Sequence, residues 1–228
     1  MEVIICPSED RVAQVAAAKA ARLAAAVGPG VVLGVATGSS PVKTYRELAT
    51  LVGAGELDLS LASAFALDEY VGIPKGHPES YHEVIHNTVT VPLGLDPARV
   101  HVPDGLAEDL QAAGPAYERA IAVAGGVDIQ FLGVGSNGHI GFNEPTSSLS
   151  SRTRIKTLAE RTRLDNARFF DSIEDVPRHC MTQGLGTIMD ARNVILMATG
   201  EGQADAVAAL IEGPLTSMWP GSGLQMHQ

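Results

Sequence analysis

The chain has 228 residues, 45% of them hydrophobic and 24 of them glycine, and carries a formal net charge of −10. This composition is typical of one large α/β domain, spanning residues 1–228, and excludes a disordered chain. The acidic balance disfavours binding to nucleic acid or to an anionic membrane surface, because phosphate groups repel a negative protein.

The start of the chain and the cysteines predict a cytoplasmic protein. Met1–Cys6 contains no basic residue and only a short apolar run, so it does not read as a signal peptide. Lys19 and Arg22 interrupt the Ala-rich segment that follows, which excludes a membrane span there. Cys6 and Cys180 are too far apart for a disulfide framework or a metal-binding spacing. The oligomeric state stays open, a homo-oligomer included.

Short apolar runs alternate with helical patterns along the whole chain. The first helical pattern runs from Val12 to Val27 after a candidate N-cap at Ser8. Such alternation predicts an α/β fold: a Rossmann-like, mostly parallel sheet with helices on both faces. Residues 146–186 are the least periodic, and we expect a flap-like segment there rather than a separate domain. The predicted strands are Val3–Cys6, Val31–Ala36, Ser63–Leu67, Val100–Val102, Asp128–Leu132 and Val194–Ala198, and further helices are predicted near Val42–Val52, Ser80–Val89, Ala107–Val123 and Gln203–Leu210.

Three polar segments begin where predicted strands end. Residues 37–41, 68–70 and 135–145 follow the second, third and fifth predicted strands. Ligands of open α/β sheets bind at the carboxyl ends of the strands. We therefore expect these three segments to meet at one rim of the sheet.

The first segment, Thr37, Gly38, Ser39, Ser40 and Pro41, reads as a tight loop that opens a helix. Backbone amides, hydroxyls and the helix dipole together suit a small anion. An ordinary helix cap explains the same residues. The segment lacks the Gly-Lys-Ser/Thr ending of a nucleotide-hydrolysing loop.

The second segment begins with adjacent carboxyl groups, Asp68 and Glu69, so one can face a site while the other faces away. Because Phe65-Ala66-Leu67 precedes it, we expect Asp68 to be half-buried, which suits a proton-abstracting base. A solvated acidic turn is the alternative.

The third segment carries His139 and Glu144 on a stretch that Gly138, Gly141 and Pro145 prevent from being regular. An imidazole titrates near neutral pH, and a nearby carboxylate can fix its tautomer. These residues predict a general acid–base group on a loop.

Six of the 16 basic residues lie within the span 152–168. They indicate either a binding region for a small anion or a solvated basic face. They are Arg152, Arg154, Lys156, Arg161, Arg163 and Arg168.

Two further patterns suggest other chemistry without support from their surroundings. The glycines of residues 133–138 match a dinucleotide fingerprint, but Gly141 and Pro145 prevent the long helix that must follow. His82 and His86 match the spacing of a zinc protease, with His101 as a conceivable third ligand, yet nothing else indicates peptide hydrolysis. We expect no metal and no dinucleotide.

With these segments in place, the chain resembles the glucosamine-6-phosphate deaminase family over nearly its whole length. The resemblance implies a Rossmann-like sheet, no cofactor, and a small-molecule amino sugar phosphate as substrate. The implied reaction is an aldose–ketose isomerisation coupled to deamination. The blocks that carry the resemblance are residues 33–38, 67–72, 77–81, 138–145, 151–157 and 167–170.

The resemblance also implies roles for individual residues. His139 opens the sugar ring, Asn137 and Glu144 hold and tune it, and Asp68 transfers a proton from C2 to C1. Thr37, Gly38, Ser39, Ser40 and Arg168 would bind the phosphate group.

Three departures from the family pattern accompany the resemblance. Many members carry Asp at the position of Asn137, and a neutral amide there perturbs His139 less. Gln203 occupies the position of a phosphate-binding Lys, which removes one cation. Relatives continue beyond the position of Gln228 into another strand, so we expect an incomplete sheet edge if the chain is the whole protein.

Three other functions stay open at this point. The same chemistry on the galacto epimer is excluded by no residue. A 6-phosphogluconolactonase also uses a Gly-His loop, but lactone hydrolysis leaves Asp68 without a role. A non-catalytic sugar-phosphate binder of the transcriptional-regulator type would add a DNA-binding domain and a basic surface, and the sequence shows neither.

Overall fold

The structure is a computed structural model that describes residues 1–227, and the side chains of all of these except Arg161 and Asp165. Its strands form two sheets, one of five strands and one of three. The strands are β1 (Val32–Val35), β2 (Ser63–Ala66), β3 (Asp68–Tyr70), β4 (Val100–His101), β5 (Ile129–Leu132), β6 (Arg154–Thr157), β7 (His179–Thr182) and β8 (Asn193–Leu196). The helices are α1 (Glu9–Val27), α2 (Ser39–Gly53), α3 (Tyr81–Ile85), α4 (Leu110–Val123), α5 (Glu160–Asn166), α6 (Leu185–Met189) and α7 (Ala204–Ile211).

The larger sheet is parallel, in the order β4-β2-β1-β5-β8. From β1 the chain first adds strands on one side of the sheet and then, from β5, on the other. The point where the direction reverses lies between β1 and β5, which is where ligands bind in sheets of this kind. The predicted α/β fold class is confirmed, and five of the six predicted strands lie in this sheet.

The smaller sheet is antiparallel, in the order β3-β7-β6. The prediction of a flap-like segment over residues 146–186 is therefore wrong in part, since that span contributes β6 and β7. Both strands are short, and β7 pairs with β3 more than 100 residues earlier in the chain. Pairing between segments so far apart in the chain cannot be predicted from local sequence patterns.

The prediction of a strand at Val3–Cys6 is also wrong, because these residues belong to neither sheet. Ile5 is 93% exposed. An apolar run becomes a strand only when its backbone pairs with a neighbour. Here Met1–Cys6 and the edge strand β8 instead line a common apolar cavity of about 410 Å³.

The predicted helices are present, with shifted ends. Ser8 caps α1, its Oγ accepting from the Arg11 amide at 3.2 Å. Asp109 caps α4, so that helix begins three residues later than its predicted start. Helix α3 ends at Ile85 and passes into a π-helical turn, His86–Thr90. Within residues 1–227 no helix is both long and apolar enough to cross a membrane.

The main core lies between the parallel sheet and the helices α1 and α2. An alanine face of α1 packs there with Leu33 and Val35 of β1 and Phe131 of β5. The small side chains of α1 let the helix approach the sheet closely.

Candidate active site

A cavity of about 300 Å³ opens at the carboxyl ends of β1, β2 and β5. Thr37, Asp68 and His139, one from each predicted polar segment, all line it. Its volume is at the lower end of the range for small-molecule sites. The expected meeting of the three segments at one rim is therefore seen in the structure.

One end of the cavity is formed by residues 37–40, which comprise a short loop and the first two residues of α2 and are called the anion loop below. Gly38 is the N-cap of this 15-residue helix and has a φ of 107°, a conformation that other residues rarely adopt. The first amides of a helix have no intrahelical acceptor, and the helix dipole is positive there. This end of the cavity is therefore suited to an anion.

Arg168 lines the same cavity from a 3-10 turn, Ala167–Phe169. Its guanidinium lies 4.6 Å from the centre of the Phe169 ring. Arg168 is exposed, so its side chain can reorient toward a bound anion.

The other described members of the basic cluster do not line this cavity. Arg152 pairs with Asp190, and Arg163 donates to the carbonyl groups of Ile173 and Val176. The side chain of Arg161 lies outside the described part of the chain. Among the described side chains of this cluster, only Arg168 therefore lines the cavity.

Asp68 is the first residue of β3 and is only 5% exposed, deeper than the half-burial expected from the sequence. Burial first, and the neighbouring carboxylate of Glu69 second, raise the pKa of Asp68 to about 8. A carboxylate with a raised pKa is a stronger base than usual, and this one faces a cavity.

Glu69 faces the other way and binds the start of α3. Its carboxylate accepts from the amides of Tyr70, Tyr81 and His82 at 2.8, 2.9 and 2.8 Å. Burial raises the pKa of Glu69, while these hydrogen bonds act in the opposite direction. Only Asp68 of the two carboxyl groups therefore faces the cavity, as the adjacent spacing predicted.

His139 is held by a chain of hydrogen bonds along its loop. The amide nitrogen Nδ2 of Asn137 donates to Oε2 of Glu144 at 2.8 Å. The remaining amide atom of Asn137, Oδ1, is an acceptor and lies 2.7 Å from Nδ1 of His139. Nδ1 must therefore carry the proton, and in the neutral ring Nε2 has the lone pair.

Glu144 is fixed at its other oxygen as well. The hydroxyl of Thr162 on α5 donates to Oε1. Oε2 also lies 3.9 Å from Nδ1 of His139, so its negative charge stabilises a protonated imidazole. The side chain of His139 is 28% exposed, which places it at the boundary between the cavity and solvent.

Tyr81 is a cavity residue that sequence reasoning gave no role. Its ring is stacked on Phe142 with an interplanar angle of 10°, and its hydroxyl donates to that of Tyr70 at 3.4 Å. Burial raises the pKa of Tyr81 well above its usual value, so it remains a neutral donor. The capping Ser80 before it marks a helix start, but the sequence does not show which way that helix faces.

Gln203, expected to leave a cationic position empty, forms two hydrogen bonds to the backbone. Its Oε1 accepts from the Thr199 amide at 2.8 Å, and its Nε2 donates to the Val134 carbonyl at 2.7 Å. The hydroxyls of Thr199 and Ser40 are 3.4 Å apart. Gln203 therefore links the loops that follow β5 and β8 beside the anion end of the cavity.

The two patterns set aside in the sequence take other structures. The glycine run at residues 133–138 leads into a turn, not into the helix that a dinucleotide fingerprint needs. His82 is the second residue of α3, and its amide donates to Glu69. In the described part of the chain, no three His, Cys, Asp or Glu side chains form a group suited to a metal ion.

Comparison with known proteins shows the family to which the chain is similar. Residues 7–228 match the family model for glucosamine-6-phosphate isomerases and 6-phosphogluconolactonases. A glucosamine-6-phosphate deaminase of Cutibacterium acnes is 61% identical over 228 residues, which is all of this chain and 87% of that protein. One of Streptomyces avermitilis is 55% identical with the same coverage.

Solved structures of a glucosamine-6-phosphate deaminase and of 6-phosphogluconolactonases have a similar fold. One described as a monomeric glucosamine-6-phosphate deaminase superposes with a TM-score of 0.96 at 39% identity, over 100% of this chain and 94% of that one. A 6-phosphogluconolactonase from Trypanosoma cruzi gives 0.77 at 20% identity, over 100% and 91%, a likeness of fold alone.

Proposed function

The chain belongs to the family of glucosamine-6-phosphate isomerases and 6-phosphogluconolactonases, and from this premise we propose that it converts glucosamine 6-phosphate and water to fructose 6-phosphate and ammonia. One observation carries the proposal: Asp68, His139 and the anion-binding loop line a single cavity. An aldose–ketose isomerisation of a sugar phosphate needs all three parts at one substrate.

The phosphate group binds at the loop from Thr37 to Ser40. Amides at the start of α2 donate to phosphate oxygens there, and the hydroxyls of Thr37, Ser39 and Ser40 add further donors. Arg168, in the 3-10 turn Ala167–Phe169, supplies a positive charge to the same cavity. Holding the phosphate at one end fixes where the sugar carbons lie along the cavity.

His139 opens the pyranose ring. With Nδ1 protonated toward Asn137, Nε2 accepts the proton of the O1 hydroxyl and returns it to the ring oxygen as the C1–O5 bond breaks. The carboxylate of Glu144 and the amide of Asn137 stabilise the imidazolium formed between these two transfers. The product is the open-chain amino aldehyde.

Asp68 then moves a proton along the open chain. Its carboxylate removes the proton on C2 while one proton passes from the substrate's ammonium group to O1, giving a neutral enolamine in which C1 carries a hydroxyl group. The same carboxyl group delivers that proton to C1, leaving an iminium at C2. Water adds to the iminium and ammonia leaves, which yields the ketone of fructose 6-phosphate. Its raised pKa makes Asp68 a suitable base for a weakly acidic carbon.

The rival within the family is lactone hydrolysis. That reaction needs a water activated by an imidazole and a bound phosphate, but it needs no base at C2. A carboxylate buried to 5% exposure and facing the cavity would then have no function while it destabilises the fold. This cost favours the deaminase.

Ammonia release by the purified chain from glucosamine 6-phosphate tests the proposal, with galactosamine 6-phosphate and 6-phosphogluconolactone assayed beside it. We expect ammonia and fructose 6-phosphate in equal amounts from the gluco substrate. Lactone hydrolysis without ammonia release would overturn the proposal. Faster turnover of the galacto substrate would keep the chemistry and change the substrate.

We further propose that the protein acts in the cytoplasm as a monomer. Two free cysteines, one of them buried, suit a reducing compartment. A solved relative that is 39% identical is described as monomeric. Light scattering on the purified chain measures the assembly state, and a stable dimer would contradict this part.

A further inference from the structure

We infer that Asn143 and Thr182 form a brace, named here the Asn143–Thr182 brace, that sets the position of His139 relative to Asp68. The two acid–base groups lie on different elements, a loop after β5 and the strand β3. The brace connects those elements through side chains that do not themselves react. This inference rests on the proposed function for its kinetic consequences.

Asn143 joins the His139 loop to the small antiparallel sheet. It is fully buried, and its Nδ2 donates to the carbonyl of Ile140 at 2.9 Å and to that of Gln183 at 2.8 Å. Ile140 is the neighbour of His139, and Gln183 directly follows β7. One amide group thus holds both elements at once.

Thr182 forms the second contact between the same elements. It is also fully buried, and its Oγ1 accepts from the amide of Phe142 at 3.2 Å. In the register of β3 and β7, Thr182 is the direct partner of Asp68. The loop is therefore attached to the residue that lies opposite the proposed base.

The close approach at Gly141 shows how tightly the loop lies over Asp68. A methyl group placed on Gly141 would be 3.2 Å from Oγ1 of Thr182 and 3.3 Å from Oδ2 of Asp68. Gly141 also has a φ of 55°, in the left-handed region. A loop in this position can shift little without moving the carboxylate of Asp68.

The proposed reaction explains why the position of His139 relative to Asp68 matters. His139 acts on O1 and O5, while Asp68 acts on C2 and C1 of the same sugar, so both must fit one bound molecule. Displacement of a reacting group by about 1 Å can reduce a rate about 100-fold. The anion loop lies between β1 and α2, and the hydrogen bonds of the brace go to other elements, so we expect phosphate binding to change less than kcat when the brace is removed.

The test uses two substitutions of Thr182 and one matched control. Thr182→Val keeps the shape and removes the acceptor of the Phe142 amide, whereas Thr182→Ser keeps the acceptor. Thr187→Val removes another buried hydroxyl, one that donates to Glu118 and does not line the cavity. Each is assayed for kcat, KM and inhibition by inorganic phosphate.

We expect Thr182→Val to lower kcat about 10-fold, with KM and the phosphate inhibition constant within about 2-fold of the unsubstituted chain. Thr182→Ser and Thr187→Val should keep kcat within about 2-fold. Equal losses in Thr182→Val and Thr182→Ser, or a loss of phosphate binding that matches the loss of kcat, would overturn the brace. An unchanged kcat in Thr182→Val would do the same.

A second measurement separates the brace from the proposed function. The ring signals of His139 in an NMR spectrum, assigned by loss in His139→Gln, should shift in Thr182→Val and stay in place in Thr187→Val. If the chain released no ammonia, the proposed function would be contradicted, whereas the His139 signals would still test the brace. Unmoved His139 signals in Thr182→Val would overturn it.

Discussion

Asp68 and His139 line one cavity, but their surroundings differ in kind. Asp68 lies on a strand, is 5% exposed, and has a pKa raised mainly by burial. His139 lies on a loop, has a side chain 28% exposed, and is oriented by Asn137 and Glu144. Burial therefore makes Asp68 more basic, whereas hydrogen bonds orient the imidazole of His139.

This difference predicts how each group fails. A change at Asp68 acts through charge, so it should alter both catalysis and the pH dependence of stability. A change near His139 acts through position, so it should alter catalysis without a comparable effect of pH on stability. The predictions that follow test this contrast in order of expected size.

The largest effect is expected for Asp68→Asn, which removes the base and keeps the shape. We expect kcat to fall at least about 100-fold, about 2.7 kcal/mol of barrier, because positioned acid–base catalysis contributes about 10²–10⁴. Steady-state ammonia release measures it, with the exposed Asp58→Asn as control. Near-normal turnover would remove Asp68 from the mechanism.

The same substitution should stabilise the fold at high pH. The pKa of Asp68 is about 8 in the folded chain against 3.8 ordinarily, so the folded state binds the proton more tightly. The loss of stability caused by ionised Asp68 is therefore absent below about pH 4, grows between about pH 4 and 8, and is complete above that. We expect Asp68→Asn to raise the free energy of unfolding by on the order of 2 kcal/mol at pH 8.5. This is less than the full change in pKa implies, because the protein relaxes around the buried charge.

Urea unfolding at pH 4 and pH 8.5 measures this difference. Asp58→Asn is again the control. Because a hydrogen bond from Ser60 lowers the pKa of Asp58, this substitution should not stabilise the fold at high pH. Equal stability of Asp68→Asn and the parent chain at both pH values would show that burial does not set the basicity of Asp68.

A smaller effect is expected for Gly135→Ala, which displaces His139 without changing a titrating group. The added methyl would lie 2.1 Å from Cε1 of the imidazole, so the ring must move. We expect kcat to fall about 10-fold. Gly53→Ala is the matched control, because a methyl there meets no atom within 4 Å. Full activity of Gly135→Ala would mean that the position of the ring is unimportant.

The smallest effect is expected for Gln203→Lys, which adds the cation that the family pattern places there. We expect KM to fall by only a few-fold, because the lysine loses the hydrogen bond from the Thr199 amide. KM for glucosamine 6-phosphate and the unfolding midpoint are measured together. An unchanged KM would show that the phosphate is held by the loop and Arg168 without help from this position.

The sequence predicted the parallel sheet and the meeting of its polar loops, because both follow from local patterns. The turn at Gly38, the helix start after it and the irregular His139 loop are encoded by neighbouring residues. The small antiparallel sheet was not predicted, since β3, β6 and β7 pair across long sequence separations. For the same reason the roles of Tyr81, Asn143 and Thr182 could not be read from the chain.

The central claim is that one buried carboxylate carries a proton from C2 to C1 of a sugar opened beside it. Glucosamine 6-phosphate labelled with deuterium at C2 tests this claim when it is converted in ordinary water. The account predicts slower turnover than with the unlabelled substrate, and deuterium at C1 of fructose 6-phosphate, because Asp68 is shielded from exchange. Turnover at an equal rate with no deuterium at C1 would contradict it.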